Sequence, residues 1–85
     1  MQSFRMVEYT RLQRLNISRN QLESIELIEN ASLRELDLHT NKLKSIDLSK
    51  NQNLELLDLS QNELTVIDTD NSPNLQIINV SCNKL

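Results

Sequence analysis

The apolar positions of this chain recur on a fixed beat. Leu12, Leu33, Leu54 and Leu75 stand 21 residues apart, and Asn20, Asn41, Asn62 and Asn83 keep the same interval. Between them LQRLNISRNQL, LRELDLHTNKL, LELLDLSQNEL and LQIINVSCNKL each satisfy L-x-x-L-x-L-x-x-N-x-L, with Ile or Val admitted for Leu. Inside a unit, Leu36-Asp37-Leu38 or Leu57-Asp58-Leu59 alternates with period two, the signature of a short strand with one buried face. Strands are therefore predicted near Leu15, Leu36, Leu57 and Ile78. Copies 21 residues apart can stack as neighbours about 4.8 Å apart in one parallel sheet, with the tail of each unit as the return path. No unit can bury its own leucines, but stacked units bury them jointly.

The tails obey the same frame. Ile25, Ile46 and Ile67 fall in one column, and Leu27, Leu48 and Thr69 in another. Extending the frame backwards puts Met1, Phe4 and Met6 in the tail columns. Residues 1–11 then read as a partial tail, 12–32, 33–53 and 54–74 as full units, and 75–85 as a partial unit. A chain that starts and stops inside a unit reads as a segment of a longer protein. Tails such as LKSIDLSKNQN are too short and polar for a full helix, which predicts extended or 3-10-like segments with tight turns at Asn30, Asn51 and Asn71. IELIENAS in the first tail is the one stretch where a helix is expected. The chain has no Gly and eleven Asn. The turns therefore fall to Asn, which tolerates left-handed backbone and bonds neighbouring main chain. The recurring Asn20, Asn41, Asn62 and Asn83 are predicted to turn inward and form a ladder.

The four consecutive copies, each with five apolar positions and the Asn, resemble the leucine-rich repeat family. The resemblance implies an α/β-type repeat solenoid: a right-handed superhelix with a parallel sheet on its concave face and a mostly irregular or 3-10 convex side. It also implies a non-catalytic protein–protein interaction module, since the family consists mostly of scaffolds that present the sheet face to protein ligands. The alternative is a recognition or regulatory segment of a larger enzyme or receptor, with catalysis outside this chain. LDLSxNxL is similar to the repeats of leucine-rich-repeat protein phosphatases that carry a pleckstrin-homology domain, though no phosphatase metal-ligand motif is present here. The expected partners are a protein and the flanking repeats or caps of a longer parent chain.

The letters that drift between copies lie in columns on the exposed sheet face. They are Arg14, Glu35, Leu56 and Ile77; Asn16, Asp37, Asp58 and Asn79; Ser18, His39, Ser60 and Ser81; and Arg19, Thr40, Gln61 and Cys82. The face runs from basic at Arg14 and Arg19, through acidic at Glu35, Asp37 and Asp58, to apolar at Leu56 and Ile77. A pure fold argument does not require Leu56 or Ile77, so these two are the candidate anchors for a partner. Glu35, Asp37, His39 and Asp58 complete the candidate binding set. Asp37 and Asp58 also serve solubility and local turns, and His39 beside them would make a contact mildly pH-sensitive.

Three constellations look like chemistry and fall short of it. Ser60, His39 and Asp37 share a face, but Ser fills that column in three of four units and no oxyanion hole accompanies it. His39 and Cys82 are two units, about 10 Å, apart, too far to share a metal ion. DTDNSP at 68–73 begins like a calcium loop, then offers Pro73 where the Gly belongs and Asn79 where the bidentate Glu belongs. No catalytic residue, metal site or cofactor is expected.

Composition adds boundaries. Nine Lys and Arg are scattered among twelve Asp and Glu, the net charge is −3, and Phe4 and Tyr9 are the only aromatics. Nucleic acid is a poor match for that surface. No run approaches the length of a membrane span. Cys82 is alone, so no internal disulfide can form. Sequons occur at Asn16, Asn30 and Asn79, and glycans on Asn16 or Asn79 would obstruct the face. Together with the unpaired Cys82 and the lack of a signal-like N-terminal run, that favours the cytoplasm.

Overall fold

The structure, a computed structural model, describes residues 3–5 by their backbone and residues 11–85 in full. The expected columns for Met1 and Met6 lie outside the described residues. Among the described residues, six three-residue strands alternate with turns: β1 (Ser3–Arg5), β2 (Arg14–Asn16), β3 (Ser24–Glu26), β4 (Glu35–Asp37), β5 (Leu56–Asp58) and β6 (Ile77–Asn79). A four-stranded parallel sheet runs in the order β2-β4-β5-β6. Its register pairs Leu15 with Leu36, Leu36 with Leu57 and Leu57 with Ile78, one period apart at each step. The strand centres are those the alternation predicts. Main-chain pairing continues past the strands, because Ile17, Leu38 and Leu59 N–H donate to the carbonyls of Asp37, Asp58 and Asn79 at 3.0, 2.8 and 2.8 Å.

The core is a stack of leucine rows. Leu33 and Leu54, Leu36 and Leu57, Leu38 and Leu59, and Leu22, Leu43 and Leu64 are all fully buried. Each such side chain removed from water contributes about 1.5–3 kcal/mol, so the inner coils hold most of the hydrophobic stabilisation. Burial fades outward along the same rows: Leu12, Leu15 and Leu75 are half-buried, while Ile78 and Leu85 are exposed.

The Asn ladder forms as the sequence predicts at its centre. Asn41 Oδ1 accepts from Leu22 N–H and Asn62 Oδ1 from Leu43 N–H, both at 3.0 Å. Asn62 Nδ2 donates to the carbonyls of Leu38, Leu59 and Ser60. Asn83 repeats this partly exposed, but Asn20 departs from the expectation. It is exposed, and its amide donates to Ser18 O at 3.1 Å. Asn20 belongs to the outermost described coil of the four-stranded sheet, with no further coil among the described residues to bury it.

The left-handed turn residue is the one before each Asn. Arg19, Thr40, Gln61 and Cys82 have φ of 58°, 59°, 57° and 58°. The expectation that Asn itself takes this conformation is corrected: the Asn amide must reach back to carbonyls in the bend, and the residue ahead of it absorbs the reversal.

The tails hold a second ladder, absent from the sequence reading. Asn30 and Asn51 are buried, Asn51 Nδ2 donates to Leu27 O at 3.1 Å and Asn30 O at 3.0 Å, and Ser72 Oγ donates to Asn51 O at 2.9 Å. The third turn does contain Asn71, closed by Ser72 N–H on Thr69 O, but Ser72 rather than Asn71 occupies the buried column. No helix forms in IELIENAS. Residues 24–26 are β3, which pairs in parallel with β1, Phe4 opposite Ile25, and Asn30 N–H closes a turn on Leu27 O. Burial of Ile25 and Leu27 between exposed Ser24, Glu26 and Ile28 is period two, which an extended chain satisfies and a helix does not. The described tails are extended segments and turns, so the parallel sheet carries the architecture without helices.

Candidate functional site

The parallel register turns sequence columns into rows of residues on neighbouring strands. Arg14, Glu35, Leu56 and Ile77 lie side by side across β2, β4, β5 and β6, followed by Asn16, Asp37, Asp58 and Asn79. The inward residue between them, Leu15, Leu36, Leu57 or Ile78, points into the core, so these flanking residues face away from it.

The first row divides in two. Arg14 and Glu35 form an ion pair, and one position earlier Arg34 and Glu55 approach to 3.8 Å. These side chains are well exposed, and such pairs contribute about 0–1 kcal/mol. The row then becomes apolar, with Leu56 half-buried and Ile77 60 % exposed. Nothing in the core needs Ile77, since its neighbour Ile78 supplies the inward contact. Two shallow hollows flank this step. One of 280 Å³ is lined by both ion pairs, Gln13, Gln76, Leu56 and Ile77, and one of 440 Å³ by Arg14, Leu15, Asn16, Glu35, Leu36, Asp37 and Leu56.

The second row has a structural duty. The Oδ1 atoms of Asn16, Asp37, Asp58 and Asn79 each accept the N–H two residues on, at 2.9, 3.1, 3.0 and 3.1 Å. Asn and Asp accept this bond equally well, which explains why the column tolerates both. The charge of Asp37 and Asp58 is the part the turn does not use.

His39 sits half-buried between these features. Its Nδ1 shares a 2.9 Å hydrogen bond with the Thr40 hydroxyl, which in turn lies 3.2 Å from Gln61 Oε1, and its Nε2 stands 3.9 Å from Asp37 Oδ1. Ser60 is buried and its hydroxyl donates to Asp58 Oδ1 at 2.7 Å. The bond a nucleophile would make to His39 is thus replaced by a local turn contact. In DTDNSP, Asp68 Oδ1 accepts Asp70 N–H at 2.9 Å, an ordinary Asx turn on an exposed coil.

Glu35, Asp37, His39, Leu56, Asp58 and Ile77 therefore all lie on one continuous surface, with Leu56 and Ile77 adjacent in register. Sequence reasoning missed the Arg34–Glu55 pair, because its column borders the strands rather than lying within them.

The family comparison agrees with this geometry. A family model for leucine-rich repeats in two copies matches residues 10–51, and a further leucine-rich repeat model matches residues 50–66. No curated protein and no solved structure matches the chain. With the 21-residue register, the leucine rows, the Asn ladder and these matches in agreement, the chain belongs to the leucine-rich repeat family.

Proposed function

We propose that this chain is a non-catalytic recognition module that presents its sheet face to a protein partner. Leucine-rich repeats generally mediate protein–protein interaction and typically bind proteins without catalysing reactions. In this reading Leu56 and Ile77 are the apolar anchor, and Glu35, Asp37, His39 and Asp58 set charge complementarity around it. The observation that carries the reading is Ile77: a large apolar side chain 60 % exposed beside Leu56, in a row where the other strands place an ion pair. The matching partner offers an apolar side chain flanked by basic groups. A cytoplasmic setting suits this reading, because Asn16 and Asn79 lie exposed on the same face and glycans there would cover it.

The test is calorimetric titration of a purified partner against two variants. Leu56→Ser with Ile77→Ser is expected to weaken binding by about 2 kcal/mol or more, roughly 30-fold, if the pair is a hot spot. Replacing exposed Lys44, Lys50 and Gln52 on the tails is expected to leave affinity unchanged. Loss of affinity with the tail set alone would move the site to the other side of the coil.

A further inference from the structure

Strands β4 and β5 lie inside the sheet, each with a strand on both sides, so their outward face is complete within the described residues. On that face Asp37 and Asp58 stand opposite each other in register, about 4.8 Å apart between Cα atoms. One oxygen of each carboxylate is engaged in a local turn. Asp37 Oδ1 accepts His39 N–H at 3.1 Å, and Asp58 Oδ1 accepts the N–H and the hydroxyl of Ser60 at 3.0 and 2.7 Å. The other oxygen of each, Oδ2, has no hydrogen bond or ion pair to a described residue. Glu35 and Glu55 nearby are met by Arg14 and Arg34, whereas no Lys or Arg among the described residues pairs with either aspartate. The turn does not need the charge, because Asn16 and Asn79 make the same bond in the same column. Like charges directly opposed on neighbouring strands cost stability, so the coil carries this pair without using it. Half-buried Leu56 stands two residues before Asp58 on the same face, beside the 440 Å³ hollow that Asp37 also lines.

Resting on the sheet-face reading above, we propose that the segment this face takes is an extended peptide carrying an arginine, whose guanidinium bridges Asp37 and Asp58, with an apolar side chain two positions away against Leu56. A guanidinium is planar and presents several N–H donors in a fixed fork, so it can serve two carboxylates from two of its edges while one charge answers both. An ammonium is a compact, strongly hydrated point charge and offers no such fork. Two positions along an extended chain span about 6.6–6.8 Å, the same step that separates Leu56 from Asp58 along β5. A segment aligned with the strand therefore sets its apolar side chain at Leu56 where its arginine reaches the two free oxygens. The hollow, lined in part by Leu15, Leu36 and Leu56, has room for that apolar group. Asp37 and Asp58 are then the residues that select the partner, and Leu56 is the contact that fixes the spacing.

The probe is a phage-displayed library of random linear heptapeptides selected on the folded chain, with the selected sequences then synthesised and titrated by calorimetry. Arginine two positions from Leu, Ile, Met or Phe is expected to recur among them. Asp37→Asn with Asp58→Asn is expected to weaken these peptides about tenfold or more, as is replacing the arginine by its neutral isostere citrulline. Lysine in its place is expected to bind more weakly than arginine. Since Asn makes the same turn elsewhere in the column, the double variant is expected to keep its circular dichroism and to unfold no more easily than the parent chain. The citrulline comparison uses the unaltered chain, so it decides the matter should that variant fold poorly. Asp68→Asn with Asp70→Asn removes the same charge from an exposed tail and is expected to leave affinity unchanged. A selection that yields no arginine-bearing peptide overturns the proposal, as does equal weakening by the two charge variants or equal binding of lysine and arginine. Peptides that lose affinity with Leu56→Ser and Ile77→Ser but not with the aspartate pair overturn it and leave the sheet-face reading standing. Peptides that lose affinity only when Lys44, Lys50 and Gln52 are replaced overturn both.

Discussion

Replacing Asn62 with Ala probes the ladder where its bonding is fully specified. Asn62 Oδ1 is the acceptor that Leu43 N–H uses, at 3.0 Å in a buried position. The three carbonyls that Asn62 Nδ2 serves each keep a second donor: Asn41 on Leu38, Asn83 on Leu59 and the Thr40 N–H on Ser60. The substitution therefore orphans one buried N–H, a cost of about 1–3 kcal/mol, and removes contacts whose net worth is about 0.5–1.5 kcal/mol each. Since the carbonyls stay satisfied, the orphaned donor dominates and the expected loss is about 3 kcal/mol. Asn20→Ala deletes one exposed bond and is expected to cost less than about 1 kcal/mol. Asn62→Asp separates the two functions of the amide. It keeps an acceptor for Leu43 N–H but turns a carboxylate oxygen toward three carbonyls, and is expected to cost at least as much as Ala near neutral pH. The assay is urea unfolding followed by far-UV circular dichroism in dilute solution, read where the slope with denaturant is unchanged among variants. Equal costs at Asn62 and Asn20, or a silent Asn62→Asp, would refute the reasoning.

Thr40 is a β-branched residue held at φ 59°, where Asn is tolerated better, so Thr40→Asn is expected to raise stability by about 1 kcal/mol in the same assay. Ser72→Asn extends the second ladder with an amide that can reach Leu48 O, as Asn51 reaches Leu27 O, and is expected to stabilise by about 1 kcal/mol; a loss of stability means that the tail column has no room for it. On the outer tail, the Ser49 side-chain and main-chain hydrogen bonds, with Lys50 nearby, hold the Asp47 carboxyl below its usual range. A carboxyl lowered in the folded state binds fewer protons than in the unfolded chain, so its stabilisation is present above the ordinary carboxylate range and is lost as pH falls through the lowered value. Asp47→Asn keeps an acceptor for Ser49 N–H, and is expected to flatten that acid limb of the stability profile while changing little at neutral pH.

The division between frame and face was legible because the 21-residue period never slips. A fixed interval pins the register of β2, β4, β5 and β6, and a one-residue error would have turned Leu36 and Leu57 outward. The second ladder was not legible as a ladder. Asn30 and Asn51 stood out as turn residues, but the third member is Ser72, and the neighbouring Asn71 drew attention from it. The pairing of β1 with β3 rests on Phe4 opposite Ile25 between polar neighbours, too short an apolar signal to separate from a loop. The left-handed column was hidden for a different reason. Arg19, Thr40, Gln61 and Cys82 share no propensity for positive φ, and tertiary bonding of the following Asn imposes it. On the face, the sequence suggested a candidate set but not that Asp37 and Asp58 also close Asx turns, which makes them poorer probes of recognition than Leu56 and Ile77.

The central claim is that recurring letters hold the coil while the drifting letters of the face are free for recognition. The most direct measurement compares the unfolding free energy of Leu56→Ser with Ile77→Ser against that of Leu57→Ala. Leu57 is fully buried between Leu36 and Ile78, and its truncation is expected to cost about 2–5 kcal/mol. Half-buried Leu56 and exposed Ile77 are expected to cost about 1 kcal/mol together, with the far-UV spectrum unchanged. A double variant that unfolds as readily as Leu57→Ala contradicts the claim, because both residues then belong to the core.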